Sequence, residues 1–221
     1  IGYSTLTMKF SVCVMAAGMG SRTQLNYNKV FYKLNEEQTV LDRCLSLFLE
    51  DEDCHQIIIV SALYEKEYVS DLYKEYEKIE VTTGGDTRQQ SVYNGLLKVT
   101  SPYVMIQDGA RPYLKKENLQ ALKETLKTED ACLLMVPSVD TSKIVVDGYV
   151  KETLVRSMVY NAQTPQCFKT DLLRSCHKKA LKDHRIGTDD AQLIEWYSNV
   201  KVKMVLGDES NIKITHPKDL L

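Results

Sequence analysis

The chain has 221 residues and a mass of 25.2 kDa, with 43% hydrophobic and 26% charged residues, 10 glycines and 5 prolines. That balance excludes a disordered, collagen-like or coiled-coil protein, and the length suffices to bury a sizeable core. A formal net charge of −2 excludes the basic footprint of a protein that lives on nucleic acid or acidic membrane, so any phosphate chemistry must come from a local cluster.

The first apolar run, "FSVCVM" at 10–15, is too short for a helix and predicts a buried strand. It empties into "AAGMGSRTQLNYNK" at 16–29, where small residues hang two cations, Arg22 and Lys29, from one loop. Apolar residues three and four apart at Val40, Cys44, Leu47 and Phe48 then predict an amphipathic helix, followed by a buried strand at 56–61. Val69, Leu72, Tyr73 and Tyr76 predict a second helix, and a strand near Val81 runs into "GGDTRQQSVYNGL" at 84–96, which opens a third. A strand at 103–107 meets "DGARP", Leu119, Leu122 and Leu126 mark another helix, and a buried strand follows at 131–136.

Beyond it, residues 138–155 carry β-branched runs around Asp147-Gly148, the strongest short hairpin signal. An antiparallel arm spanning about 137–160 is expected, as an edge hairpin or an extension towards a second subunit. The stretches at 156–168 and 187–193 read as polar loops, 202–206 as a buried strand, and "NIKIT" at 211–215 as a short strand-like run that carries Lys213. No linker tract or repeat divides the chain, which reads as one domain over 1–221 with the arm as an excursion.

Strands and helices that alternate in this way imply an α/β fold whose mostly parallel sheet is covered by helices on both faces. Ligands of such sheets sit at the carboxyl ends of the strands. That rule selects the loops after Met15, Val81 and Gln107.

The six cysteines form no C-x-x-C pair, and the four histidines make no zinc pattern. Buried free thiols in a reducing compartment are expected. With no secretory signal pattern and no apolar run near the roughly 18 residues of a spanning helix, a cytoplasmic protein without membrane contact is expected.

In the first loop Ala16, Ala17, Gly18 and Gly20 allow close backbone approach to phosphate oxygens. Thr23 breaks the dinucleotide fingerprint, which discourages an NAD-dependent oxidoreductase, and no G-K-[ST] is present for a P-loop. Taken alone, such a loop can also be a plain strand-to-helix turn with surface cations. In the second loop Asp86, Arg88 and Ser91 offer polar groups at a helix start, which favours an anionic ligand. Asp108 stands at a strand end, where a carboxylate holds Mg²⁺ against substrate phosphates or serves as a turn residue, and Arg111 follows it.

Together "AAGMGSR" with Lys29, "GGDTRQQSV", "DGARP", "VDT", "QTPQ", "GTDDA" and "NIKIT" resemble, in order, the motifs of the 2-C-methyl-D-erythritol 4-phosphate cytidylyltransferases of non-mevalonate isoprenoid biosynthesis. The resemblance covers nearly the whole chain. Two positions depart from the pattern: relatives often carry methionine where Thr23 stands and proline where Asn28 stands.

The resemblance implies a Rossmann-like nucleotidyltransferase fold and an in-line attack of a polyol phosphate on the α-phosphorus of CTP. It implies that Arg22, Lys29, Lys213 and Arg156 carry catalysis. Ala16, Ala17, Gly18, Gly85, Asp86, Ser91 and Ala110 would bind the cytidine nucleotide. Asp108, Arg111, Thr141, Arg156 and Thr164 would bind the methylerythritol phosphate, with Asp108 also holding Mg²⁺. It further implies a homodimer in which the arm crosses between subunits. Two rivals stand beside this reading: a ribitol 5-phosphate cytidylyltransferase, disfavoured by "DGARP" and the alanine pair of the first loop, and a non-catalytic nucleotide-sensing module.

Overall fold

The computed structural model describes residues 8–18 and 27–220. Among them nine strands run in chain order as β1 (Phe10–Ala16), β2 (Cys54–Ser61), β3 (Ile79–Thr83), β4 (Tyr103–Asp108), β5 (Ala131–Pro137), β6 (Lys143–Val146), β7 (Tyr149–Thr153), β8 (Tyr160–Lys169) and β9 (Lys203–Leu206). Six helices accompany them: α1 (Val40–Glu50), α2 (Lys66–Leu72), α3 (Arg88–Leu96), α4 (Lys116–Leu126), α5 (Thr170–Lys182) and α6 (Asp190–Tyr197). Seven strands make one sheet in the order β3-β2-β1-β4-β8-β5-β9. All its neighbours pair parallel except β8, which runs antiparallel to both β4 and β5.

The pleat sends alternate residues of β1 and β2 into two cores. Phe10, Val12, Val14, Ile57 and Ile59 pack beneath Leu41, Leu45 and Phe48 of α1 and the leucines of α4. Cys13, Ile58 and Val60 face the other way, towards Val92 and Leu96 of α3, Leu173 of α5 and Ile194 of α6. Helices therefore cover both faces, as the uninterrupted apolar strands require. A capping box starts α1: Thr39 Oγ1 accepts from Asp42 N at 3.1 Å, and Asp42 Oδ2 accepts from Thr39 N at 2.9 Å.

The hairpin falls where Asp147-Gly148 predicts it. Both turn residues have positive φ, 52° and 82°, which matches the right-handed twist of the β6–β7 pair in a two-residue turn. All of β6 and β7 is exposed, and the two strands form their own small sheet.

Elsewhere the structure corrects the sequence. The stretch read as a polar loop at 156–168 is largely β8, a ten-residue strand in the middle of the sheet. Its polar residues belong there because they are hydrogen-bonded inside: Thr164 to Gln107 and Asp108, Gln166 to Asp189 and Ala191. The supposed loop at 187–193 is a helix from Asp190 onward, capped by the Asp189 side chain on Gln192 N at 2.9 Å. Residues 211–215 form no strand; Asn211 Nδ2 donates to Thr164 O at 2.9 Å and Ile214 N to Ala110 O at 2.9 Å. The last strand, β9, is an exposed edge of which only Val205 is buried. The second helix stops at Leu72, since of its apolar set only Val69 and Tyr73 reach the core.

Candidate active site

The parallel register puts several strand ends side by side. Ala16 lies beside Ser61, Ser61 beside Thr83, and Met15 beside Asp108. The loops that leave β1, β3 and β4 therefore start from one rim, the carboxyl edge of the sheet. Gly84 N bonds Ser61 O at 2.8 Å and Gly109 N bonds Met15 O at 2.9 Å, which draws neighbouring loops together. Gly109 must be glycine for this: a Cβ there would stand 2.7 Å from the Met15 carbonyl oxygen. Because β8 runs antiparallel, it delivers Thr164 to the same rim, and the Ile214–Ala110 bond brings Lys213.

A cavity of about 390 Å³ opens there, lined by Ala16, Ala17, Gly18, Asn28, Lys29, Gly85, Asp86, Arg88, Ser91, Asp108, Ala110 and Lys213 among others. Its size suits a small-molecule ligand. Asn28 shuts its first loop: the buried side chain donates to Ala16 O at 2.8 Å and to Glu65 Oε1 at 3.0 Å, and accepts from Val30 N at 3.3 Å. The amide thereby ties the short 3-10 turn Lys29–Phe31 to the end of β1, a job that proline, having no donor, would leave undone. In the second loop Gly85 N is already spent on Ser91 Oγ at 3.0 Å, so that loop is set by its own serine.

The electrostatic centre is Asp108, only 7% exposed. Arg88 NH2 reaches its Oδ1 at 3.3 Å, while Arg111 Nε and Lys213 Nζ reach Oδ2 at 3.4 and 3.6 Å. Burial by itself would raise the carboxyl's pKa; the Arg88, Lys213 and Arg111 charges overcome that and hold it below the usual carboxylate range. Its backbone N–H donates to Thr164 Oγ1 at 3.0 Å, and Thr164 donates in turn to Gln107 Oε1 at 2.9 Å. Arg111 also donates to Asn211 O at 2.6 Å, which fixes the segment carrying Lys213.

Among the described residues no group of three or more His, Cys, Asp or Glu side chains is arranged to hold a metal. A nucleotide-held Mg²⁺ needs one or two protein carboxylates, with the phosphates completing its shell, and Asp86 and Asp108 are the carboxylates that line this cavity.

Of the residues singled out in the sequence, Ala16, Ala17, Gly18, Lys29, Gly85, Asp86, Ser91, Asp108, Ala110 and Lys213 line this one cavity. Arg111 and Thr164 stand behind Asp108 as partly or fully buried neighbours. Thr141 and Arg156 lie exposed, flanking the β6–β7 arm, and do not line it. Arg22, with Gly20 and Thr23, lies outside the described residues. Sequence reasoning gave Arg88 no role at Asp108, and it read Asp190 and His177 as nothing but loop and scattered histidine. No local signal joins residues 102 positions apart.

The family model described as 2-C-methyl-D-erythritol 4-phosphate cytidylyltransferase matches residues 10–221. The chain is 38% identical to the protein of that description in Clostridioides difficile, covering 96% of this chain and 90% of that protein. It is 37% identical to the one in Halalkalibacterium halodurans, covering 97% and 95%. Among solved structures it resembles the 4-diphosphocytidyl-2C-methyl-D-erythritol synthase of Anaerococcus prevotii, with a TM-score of 0.86 at 32% identity over 97% of this chain and 93% of that one.

Proposed function

The chain belongs to the 2-C-methyl-D-erythritol 4-phosphate cytidylyltransferase (IspD) family, and from that premise we propose how its own residues divide the work. The enzyme joins CTP and 2-C-methyl-D-erythritol 4-phosphate to give 4-diphosphocytidyl-2-C-methyl-D-erythritol and pyrophosphate in isoprenoid biosynthesis. A phosphate oxygen of the polyol attacks the α-phosphorus of CTP, the bond to the β-phosphate breaks, and pyrophosphate leaves with the electron pair. No covalent enzyme intermediate is needed, so positioning and fixed positive charge carry the rate.

Ala16, Ala17, Gly18, Gly85, Asp86, Ser91 and Ala110 hold the cytidine nucleotide. Arg22 and Lys29 grip the triphosphate and the charge that builds at the α-phosphorus, and Lys213 adds charge at the α-phosphate. Arg111 and Thr164 set one wall of the polyol site; Thr141 and Arg156 complete it from the arm of a second copy, with Arg156 orienting the attacking phosphate. Asp108 would hold a bound Mg²⁺, which would supply neutralising charge to the triphosphate.

A homodimer is supported by the arm itself, on which Val145, Val146, Tyr149, Val150, Val155 and Met158 are all exposed. A cytoplasmic setting agrees with six cysteines that are all free and buried. Among the described residues no helix is long and apolar enough to cross a membrane.

The observation that carries this reading is the cavity at the sheet rim where Lys29, Asp108 and Lys213 meet small-residue loops. Pyrophosphate release, followed with CTP and Mg²⁺ against methylerythritol phosphate and ribitol 5-phosphate in parallel, tests it. Turnover with the first polyol is expected; turnover with ribitol phosphate alone, or with neither, overturns it.

A further inference from the structure

Arg88 is the first residue of α3 and lines the nucleotide cavity, yet its guanidinium is turned onto two carboxylates of its own chain. One nitrogen, NH2, reaches Asp108 Oδ1 at 3.3 Å, and the other, NH1, reaches Asp190 Oδ2 at 3.1 Å. Asp190 opens α6 and is 2% exposed. Its second oxygen, Oδ1, faces Nε2 of the equally buried His177 at 3.3 Å, and that imidazole stacks on Tyr93 at 6.2 Å between ring centres. The start of α6 is held to β8 by Gln166, which donates to Asp189 Oδ2 at 3.0 Å and accepts from Ala191 N at 3.1 Å. His177, Asp190, Arg88 and Asp108 thus form a continuous chain from the interior of the molecule to the cavity.

The two oxygens of Asp108 have different company. Oδ2 faces Arg111 and Lys213, the cations that the proposed reaction turns towards substrate phosphates; Oδ1 faces Arg88, whose other nitrogen is anchored by the buried Asp190. A planar guanidinium presents NH1 and NH2 to two carboxylates from fixed, separated positions, whereas a lysine ammonium offers a single point that must itself come within reach of both.

We propose that Arg88, anchored by Asp190 and His177, is the positioning residue that keeps Asp108 in place when Arg111 and Lys213 engage the substrates. It acts through Asp108 rather than on the nucleotide. The inference rests on the functional reading given above.

The test measures kcat, the KM of each substrate and the urea midpoint for Arg88→Lys, Asp108→Asn, the double variant and Asp190→Asn. Arg88→Lys keeps the charge but loses the fork, so kcat should fall on the order of 10²-fold, as misplacement of a site group does, with the KM for CTP within about threefold of the parent. In the Asp108→Asn background the same change should add little, because both act through one carboxylate. Asp190→Asn should lower kcat in the same direction by less. Near-parental kcat in Arg88→Lys, losses that multiply in the double variant, or a rise in the CTP KM with kcat intact would each overturn the inference. Should Asp190→Asn fail to fold, the Arg88→Lys and Asp108→Asn cycle decides alone. A parent enzyme that makes no diphosphocytidyl product sinks the functional reading; a turning-over parent with an indifferent Arg88→Lys variant sinks only this inference.

Discussion

Replacing Gly109 by alanine should strike both the fold and the chemistry. The new Cβ would lie 2.7 Å from Met15 O, and ordinary contact begins near 3.4 Å, so the ends of β1 and β4 must part by the difference, 0.7 Å. The obstacle is backbone, not the tip of a flexible side chain, so it cannot swing aside. Overpacking of this kind costs about 1–3 kcal/mol. For a chain of this length that lowers the melting temperature by roughly 3–10 °C. The same displacement moves the neighbouring Asp108, whose contacts to Arg88 and Arg111 at 3.3 and 3.4 Å already have little to spare. A shift approaching 1 Å at a reacting centre can cost about 10²-fold, so kcat should drop by roughly ten- to a hundredfold. Thermal unfolding followed by circular dichroism and pyrophosphate release at saturating CTP read the two effects. Gly18→Ala is the stability control, since among the described residues nothing stands within 4 Å of the Cβ it would add. A Gly109→Ala enzyme with parental melting temperature and parental kcat would refute the close approach of the two strand ends.

Three further outcomes follow from other parts of the molecule. All six cysteines are buried, and burial pushes the Cys44 and Cys54 thiols up to about 12, so Ellman's reagent should find no fast-reacting thiol in the native protein and six after denaturation. Asp108 and Asp190 both titrate below the usual carboxylate range in the folded chain: burial opposes this, and the Arg88 charge leads the groups that overcome it. Depressed carboxyls stabilise above the unfolded pKa near 3.9 and lose that contribution as pH falls through the folded value. Urea unfolding at stepped pH should therefore show a steep loss below about pH 4, shallower in Asp190→Asn by up to about 1.4 kcal/mol per pH unit. Finally, a mixture of inactive Arg156→Ala and Lys29→Ala proteins should regain activity after subunit exchange, because one of the two mixed sites is then intact; a mixture that stays inactive contradicts a shared site.

Much of this architecture could be read from the residues. The apolar runs of β1, β2, β4 and β5 have one meaning, since strands buried on both faces show no alternation. Asp147-Gly148 located the hairpin because few other pairs accept two positive φ angles. β8 escaped because its middle, "NAQTPQ", looks like a loop: its place in the sheet rests on hydrogen bonds from Thr164 and Gln166 to partners 23 to 57 residues away, which leave no periodic trace. Lys213, singled out in the sequence, does line the rim cavity although its surroundings were misread, for a turn tied to Ala110 places it there as well as a strand would. Arg88 shows the same limit from the other side. Its position in the loop motif was legible, but which carboxylates it grips depends on how α6 meets the sheet rim.

In the proposed reaction, cations from separate turns converge on the phosphates of one nucleotide. Turnover of Lys29→Ala and Lys213→Ala, measured alongside their unfolding free energies, tests it most directly. Removing one preorganised charge donor should reduce kcat by about 10²- to 10³-fold. Lys213 makes a partly exposed ion pair with Asp108, so its loss should change stability by no more than about 1 kcal/mol. Either variant retaining near-parental turnover would contradict the account.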